Sequence, residues 1–298
     1  MKYIANTDTI IIDSEFNDKL DVKLISSYTK LIFSDFEPNE KLFECYANHN
    51  FINLKFKYSQ FNQDVSNLPH SLTHLTFGFD FNQDVSNLPH SLTHLTFGFD
   101  FNQDVSNLPP FLTHLTFGTF FNQDVSNLPF FITYLTFGKF FNQDISNLPQ
   151  SLTYLILGDD FNQNLSKLPS TLTHLGLGFK FNQQYNIPPN IKYLKLNCNN
   201  LNIIDSLPNS IVELELKDKF NLQMNNLPTS IKKLVITKYN NCYNTDLNCL
   251  PDFIEELHLN ISYKKRILHI PSNLKKIICH KNYLYKNDFV MCDIETYT

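Results

Sequence analysis

Residues 61–80 read FNQDVSNLPHSLTHLTFGFD, and residues 81–100 repeat these twenty residues without a change. A fixed period is typical of repeat proteins, in which each unit stacks on a copy of itself. A Leu-Pro or Ile-Pro dipeptide marks the period at intervals of 19 to 23 residues, with its first residue at Leu68, Leu88, Leu108, Leu128, Leu148, Leu168, Ile187, Leu207, Leu227, Leu250 and Ile270. The sequence therefore predicts a repeat array from about residue 9 to about residue 280.

Each repeat carries one strand pattern, for example LTHLTFG at residues 92–98. Leu95 and Phe97 alternate with polar residues, and threonine and aromatic side chains suit a pleated surface. Pro89 excludes a regular helix just before the strand, and so short a repeat has no room for a full return helix. We predict a β-rich solenoid, a leucine-rich-repeat-like right-handed coil with about 20 residues and one parallel strand per repeat. Its inward residues are Phe81, Val85, Leu88, Leu92, Leu95 and Phe97.

The array is predicted to be one continuous domain with four parts. These are degenerate N-terminal repeats or a cap at 1–60, regular repeats at 61–186, divergent repeats at 187–280 and a C-terminal cap at 281–298. In the first part, an apolar-x-apolar pattern followed by Phe occurs three times, in TIIIDSEFND (9–18), TKLIFSDF (29–36) and FINLKFKYSQFN (51–62). We expect each of these segments to form a coil.

Composition narrows the classes of partner. The chain has 298 residues and a formal net charge of −5, so no overall positive field attracts nucleic acid or anionic lipid. Lysine pairs in the C-terminal third are interleaved with glutamates, which favours a solvated face. The six cysteines include no CxxC pair, and we see neither a signal peptide nor an apolar stretch of membrane-spanning length. We expect a cytoplasmic protein that binds neither nucleic acid nor membrane.

The string FNQDVSNLPHSLTHLTFG resembles the FNIP repeat, a leucine-rich-like unit named for its Phe-Asn and Ile/Leu-Pro residues. FNQ recurs seven times between Phe61 and Phe181, and weaker copies continue to about residue 280. The resemblance implies an origin in amoebae or in giant viruses that infect them, which would place a viral chain in the host cytoplasm. Relatives often carry an N-terminal F-box that recruits a ubiquitin ligase. Residues 1–50 contain strand-like segments and no F-box pattern, so such a role would act through a partner.

Residues of the strands that point away from the core form columns along the array. The first column is His74, His94, His114, Tyr134, Tyr154, His174 and Tyr193, and the second begins with Thr76, Thr96, Thr116 and Thr136. These columns either stabilise the sheet face or form an aromatic strip that binds a partner. Histidines in register raise the question of a metal, but a uniform column lacks a defined ligand set and supporting contacts, so none is predicted.

Two more columns lie in the turns. The asparagines at Asn62, Asn82, Asn102, Asn122, Asn142, Asn162 and Asn182 are predicted to form a structural ladder by bonding backbone groups of the adjacent coil. The aspartates at Asp64, Asp84, Asp104, Asp124 and Asp144 would repel one another, so we expect them to be exposed or to cap a turn.

Catalysis is not predicted, because serine, histidine and aspartate recur identically in every repeat and no single asymmetric pocket is indicated. No cofactor is predicted either. We expect a monomeric, non-catalytic scaffold that binds an unidentified protein partner along its exposed strand face. The alternatives are substrate recognition in a ubiquitin-ligase pathway and an array that duplicates rapidly with little selected function.

Overall fold

The computed structural model describes residues 2–37, 39, 41–48, 57–238 and 243–298. The chain is a β-solenoid with repeats of about 20 residues, as predicted. Its contacts divide it into two compact units. Unit 1 comprises Met1–Thr153 and Ser166–Pro169, and unit 2 comprises Tyr154–Leu165 and Ser170–Thr298.

Unit 1 contains one strand for each coil. Its strands are β1 (Tyr3–Ala5), β2 (Thr9–Ile12), β3 (Lys30–Phe33), β4 (His74–Thr76), β5 (His94–Thr96), β6 (His114–Thr116) and β7 (Tyr134–Thr136), and its helices are α1 (Val22–Ile25) and α2 (Lys41–Asn48). The strands from β2 to β7 pair in parallel and in chain order. Only β1, which the sequence analysis did not predict, pairs with β2 in the antiparallel sense among the described strands.

Unit 2 is also a parallel ladder in chain order. Its strands are β8 (Tyr154–Ile156), β9 (His174–Leu177), β10 (Tyr193–Leu196), β11 (Glu213–Leu216), β12 (Lys233–Ile236), β13 (Glu256–His258), β14 (Lys276–His280) and β15 (Asp293–Tyr297). Helix α3 (Leu201–Ile204) and a 3-10 helix (Lys286–Asp288) lie between strands. The strand β15 falls in the region predicted to be a C-terminal cap, and there it continues the parallel ladder.

The core of each regular coil is made of the residues predicted to point inward. Phe81, Leu92 and Leu95 are at most 1% exposed. Within one coil the rings of Phe77 and Phe81 stack with centroids 3.6 Å apart, and Phe81 lies 6.1 Å from the matching ring, Phe101, of the next coil. Every regular coil has the same two faces, and one face is complementary to the other. Identical residues can therefore pack in successive coils without any change in side-chain arrangement.

A glycine lies two residues after each of the strands β4, β5, β6 and β7. A Cβ at Gly98 would overlap the carbonyl group of Gly78, and a Cβ at Gly118 would overlap that of Gly98. The backbones of successive coils therefore touch at this point, and only glycine allows the approach. The sequence analysis did not assign this role to the glycines.

An insertion separates β3 from the remainder of its coil. The rings of Phe33 and Phe61 stack at 3.9 Å, as Phe77 and Phe81 do, although 28 positions rather than four separate them in the sequence. Of the coil predicted at 51–62, residues 51–56 lie outside the described residues, and residues 57–60 form no strand. Since β3 pairs directly with β4, no strand of a further coil lies between them. The insertion carries α2, which packs on Ile11 and Ile32.

Candidate functional site: the strand face

The register places the predicted columns of unit 1 side by side on neighbouring strands. His74, His94, His114 and Tyr134 are paired in sequence, as are Thr76, Thr96, Thr116 and Thr136. The alternating leucine of each strand points to the core, so the residues on either side of it face outward. These outward side chains are half-buried.

Their partial burial results from stacking of the rings. The His74 and His94 rings are 4.1 Å apart and nearly parallel, and His94 and His114 are 4.2 Å apart. Tyr134 continues the stack at 5.4 Å from His114. Each ring therefore covers the faces of its neighbours and leaves its edge toward solvent.

The threonine that precedes each histidine fixes the ring. Thr93 Oγ1 donates its single proton to the carbonyl oxygen of Thr73 at 3.1 Å and lies 2.9 Å from His94 Nδ1. Since that hydroxyl proton is already used, Nδ1 carries the imidazole proton and donates to Oγ1. The same network occurs at His74 and His114. Three neighbouring histidines thus leave Nε2 as a hydrogen-bond acceptor.

The same packing keeps the histidines neutral. Burial, together with the neighbouring rings His74 and His114, lowers the pKa of His94 to about 4, because a charged imidazole is poorly solvated there and adjacent imidazolium ions would repel. Burial likewise lowers the pKa of His74 and of His114. The His and Thr columns of unit 1 therefore offer uncharged aromatic edges and hydroxyl groups at neutral pH.

The face of unit 2 begins with aromatic rings and becomes ionic. His174 lies 5.4 Å from Tyr154 and 4.0 Å from Tyr193, so this part of the first column also stacks. Beyond it, Lys195 Nζ lies 2.9 Å from Glu215, and Lys233 Nζ lies 3.6 Å from Glu213. The interleaved lysines and glutamates of the C-terminal third therefore form cross-strand ion pairs.

The predicted asparagine column links the coils of unit 1. The side-chain oxygen of Asn82 accepts a hydrogen bond from the backbone N–H of Asn102 at 2.9 Å, and Gln103 Nε2 donates to the same oxygen. The corresponding backbone bonds run from Asn82 to Asn62, from Asn122 to Asn102 and from Asn142 to Asn122. In unit 2, Asn182 bonds Asn162 in the same way at 3.1 Å. Each asparagine therefore satisfies a turn amide of the next coil.

The aspartate column is exposed and caps turns. Asp84 accepts hydrogen bonds from the backbone N–H of Ser86 at 2.9 Å and from its hydroxyl group at 2.8 Å. These two bonds hold the pKa of Asp84 below its ordinary value. The same geometry recurs at Asp64, Asp104, Asp124 and Asp144.

Exposed phenylalanines form a feature that the sequence analysis missed. Phe111, Phe130 and Phe131 are 58%, 65% and 50% exposed, which is unusual for so large an apolar side chain. Phe131 lies 6.2 Å from Phe111 and 5.4 Å from Phe130. The signal was present in the sequence, because these coils replace the His-Ser that follows Leu-Pro in the identical repeats by Pro-Phe and Phe-Phe.

A cavity of about 790 Å³ lies beside the first strands of unit 1. Strands β3, β4 and β5 line one side of it with Ile32, His74 and His94, and α2 lines another side with Phe43 and Tyr46. Its size is within the range of sites for small molecules and for side chains of a partner. Sequence reasoning missed this cavity because the pattern at 51–62 suggested a further coil.

No metal centre is formed by the part of the chain that the structure describes, where three or more potential ligands nowhere gather. The stacked imidazoles point in the same direction and do not converge on one point. None of the helices that the described residues form is long and apolar enough to cross a membrane.

The repeat pattern identifies the family. Five overlapping matches to the FNIP repeat cover residues 61–100, 81–120, 121–160, 141–180 and 181–219, which is more than half of the chain. The chain belongs to the FNIP repeat family. A comparison with curated protein sequences gives no match.

Solved structures similar to this FNIP repeat chain are leucine-rich-repeat proteins. CroV588, described as a novel circular LRR protein structure, is 31% identical with a TM-score of 0.62 over 95% of this chain and 51% of its own. The FNIP repeat chain thus spans about half the length of CroV588. An internalin, InlF of Listeria monocytogenes, is 18% identical with a TM-score of 0.54 over 94% of this chain and 90% of its own, which shows a shared fold.

Proposed function

We propose that this chain is a non-catalytic scaffold that binds a protein partner along its strand face. The observation that carries the proposal is the column of stacked rings in unit 1, His74, His94, His114 and Tyr134, beside its threonine column. Aromatic edges held by their neighbours lose little conformational freedom on binding, and aromatic residues are enriched at the energetic centres of protein interfaces. Leucine-rich-repeat-type solenoids are typically non-enzymatic scaffolds, which supports the same function.

The partner would meet an uncharged surface. The histidines are neutral, and each presents Nε2 as an acceptor beside the threonine column. We therefore expect the partner to contribute hydrogen-bond donors and flat apolar side chains rather than a charged patch. In unit 2, Tyr154, His174 and Tyr193 would extend the same chemistry.

Affinity capture from amoeba cytosol, with cross-linking and mass spectrometry, tests the proposal. The wild-type chain is compared with a variant in which His74, His94, His114 and Tyr134 are all changed to serine. A matched variant changes the exposed Phe111, Phe130 and Phe131 to serine and leaves the column intact. We expect one protein to be captured by the wild type and by the phenylalanine variant, to be lost from the column variant, and to cross-link to the strand face.

Three results contradict this assignment. If the column variant still captures the partner, the strand face is not the binding surface. If only the phenylalanine variant loses the partner, the exposed phenylalanines are the binding surface instead. If nothing specific is captured, the array has no partner in that cytosol. Capture of ubiquitin-ligase components would instead favour substrate recognition in that pathway. Circular dichroism of both variants checks that the coils remain folded.

A further inference from the structure

The cavity beside α2 differs in its chemistry from the rest of the strand face. Its lining combines His74, Thr76, His94 and Thr96 of the strand columns with Phe43 and Tyr46 of α2. The walls are therefore aromatic on one side and carry hydrogen-bond acceptors on the other. The cavity lies entirely within unit 1.

The position of α2 is fixed by the two ends of the insertion. Asp35 Oδ1 accepts hydrogen bonds from the backbone N–H groups of Ser59 and Phe79, each at 2.9 Å, and Lys57 N donates to the Asp35 carbonyl oxygen at 2.8 Å. Tyr46 Oη bonds Ser34 Oγ at 3.1 Å, which ties the helix to the end of β3. These contacts make the cavity a formed feature of the fold.

The charges that line the cavity do not balance. The charged residues of its lining are Asp8, Asp35 and Lys30. Lys30 Nζ lies 3.0 Å from Asp8, whereas Asp35 forms no ion pair with any described residue. Burial raises the pKa of Asp35, because a carboxylate partly removed from water lacks a counter-charge. A cation in the cavity would supply it.

The strand side of the cavity, with His74 and His94, adds a row of hydrogen-bond acceptors. His74 and His94 line the cavity, and both donate from Nδ1 to the preceding threonine, which leaves Nε2 as the acceptor of each ring. Their rings are 4.1 Å apart, so the two acceptors follow one another along this side. A ligand with several N–H donors in one plane satisfies more of this row than a single ammonium group.

We propose that this cavity binds a guanidinium group, with its N–H donors on Asp35 and on the acceptor edges of His74 and His94 and its flat face against the aromatic side of α2. Guanidinium groups combine a delocalised positive charge with a fork of donors and stack on aromatic rings. The group can belong to an arginine of a protein segment or to a small free guanidine. The proposal goes beyond the strand-face scaffold, since it depends on Asp35 and α2, which the His/Tyr column does not contain.

Nuclear magnetic resonance titration of the whole chain with three probes tests the proposal. The probes are N-acetyl-arginine methylamide, the matched citrulline compound, which is neutral and nearly isosteric, and agmatine as a free guanidine. We expect saturable shifts of the imidazole Nε2 signals of His74 and His94 with the arginine compound, and at least tenfold weaker binding of citrulline. Tighter binding of the arginine compound than of agmatine assigns the site to a peptide, and the reverse assigns it to a small molecule.

Two variants locate the site. In Asp35→Asn the side-chain oxygen can still accept the two backbone N–H groups, but the charge is lost, so we expect at least a tenfold loss of arginine binding. Ala47→Trp adds a large side chain at a lining residue of α2 and keeps Asp35, so it should abolish binding and tests the site even if Asp35→Asn unfolds the insertion. Asp124→Asn, which removes an exposed carboxylate far along the array, is the control and should leave binding unchanged.

The proposal is overturned if citrulline binds as tightly as arginine, if Asp35→Asn folds and retains full affinity, or if the shifts map outside the cavity. It is also overturned if no probe binds, whether or not the strand face captures a protein. Retained protein capture by Ala47→Trp with loss of arginine binding would show that the two sites are separate.

Discussion

The two units carry chemically different side chains at equivalent positions of the same type of coil. The first outward strand position is occupied by His74, His94, His114 and Tyr134 in β4 to β7 of unit 1, and by Glu213, Lys233, Glu256, Lys276 and Asp293 in β11 to β15 of unit 2. Unit 1 removes charge by stacking neutral rings, whereas unit 2 alternates the sign of the charge from strand to strand. Each arrangement avoids placing like charges side by side on adjacent strands.

The strands β4 to β7 of unit 1 and β10 to β12 of unit 2 also differ where they end. Each of β4 to β7 has three residues, and a glycine two positions further on lies against the preceding coil. In β10, β11 and β12 the strand continues for one residue more, and Asn197, Lys217 and Thr237 stand at the glycine position. Lys217 N donates to the Leu196 carbonyl oxygen, which extends the ladder.

The largest expected effect tests what the units have in common. Leu115 and Leu214 are both fully buried at the central strand position. Changing either to alanine should cost about 2–5 kcal/mol in the free energy of unfolding, since both leave a cavity in the same type of core. Urea denaturation monitored by amide hydrogen exchange, which reports on each unit separately, measures the loss in the free energy of unfolding for each variant. A negligible cost in one unit would show that the cores are not equivalent.

The second effect should separate the units. Gly118→Ala forces a methyl group into the Gly98 carbonyl and should destabilise unit 1 by about 1–3 kcal/mol, the usual cost of overpacking. Lys217→Ala, at the equivalent exposed position of unit 2, should change the free energy of unfolding by less than about 0.5 kcal/mol. The same denaturation measurement applies. Equal effects of the two substitutions would refute the close backbone approach in unit 1.

Acidification should weaken unit 1 through its histidine column. The folded state holds the pKa of His94 at about 4, below its ordinary 6.5, so the unfolded chain binds a proton first as the pH falls. Stability is therefore fully present above pH 6.5 and is lost between about 6.5 and about 4. His94→Tyr, the residue found at positions 134 and 154, should reduce this loss by about 1 kcal/mol or less, because solvent screens the half-exposed ring.

The measurement is the urea midpoint of the wild type and the variant at pH 7.5 and at pH 5. Tyr134→His, which lengthens the imidazole stack, is the opposite control and should make the loss on acidification larger. If wild type and both variants respond alike, the column does not contribute to the pH dependence of stability.

The smallest effect concerns the ion pairs of unit 2. Lys233 lies between Glu213 at 3.6 Å and Glu256 at 4.0 Å. Lys233→Gln should cost less than about 1 kcal/mol, and the difference from wild type should shrink in high salt, because these side chains are partly exposed. Thr116→Val, on the uncharged face of unit 1, is the control whose effect should not depend on salt. A cost for Lys233→Gln that persists in concentrated salt would argue against an ionic origin.

Much of the fold could be predicted from the repeat alone. The strand pattern of LTHLTFG, the buried Phe81 and Leu95, and the columns through His94 and Thr96 follow from a period of twenty residues and from the alternation of a strand. An asparagine recurs at the position of Asn82 in the regular turns, which indicated a hydrogen bond to the next coil. The Asn82 side-chain oxygen accepts such a bond from the backbone N–H of Asn102.

The coil predicted at 51–62 shows why the remainder was not predictable. Its apolar-x-apolar pattern matches a strand locally, yet β3 pairs directly with β4, and Phe33 finds the partner of its own coil in Phe61. A pattern describes which faces are apolar, but it does not state which neighbour buries them. That choice depends on contacts between residues distant in the sequence.

The period, the strand of each regular coil, the inward residues and the family all follow from the order of the amino acids, because a repeated unit has to pack against a copy of itself. The remaining features depend on contacts that form only in the folded chain. Folding brought α2, His74 and His94 to one cavity, left Asp35 without an ion-pair partner among the described residues and brought Gly98 against Gly78. These features arise where two segments meet at a particular distance, and a one-dimensional pattern carries no distances.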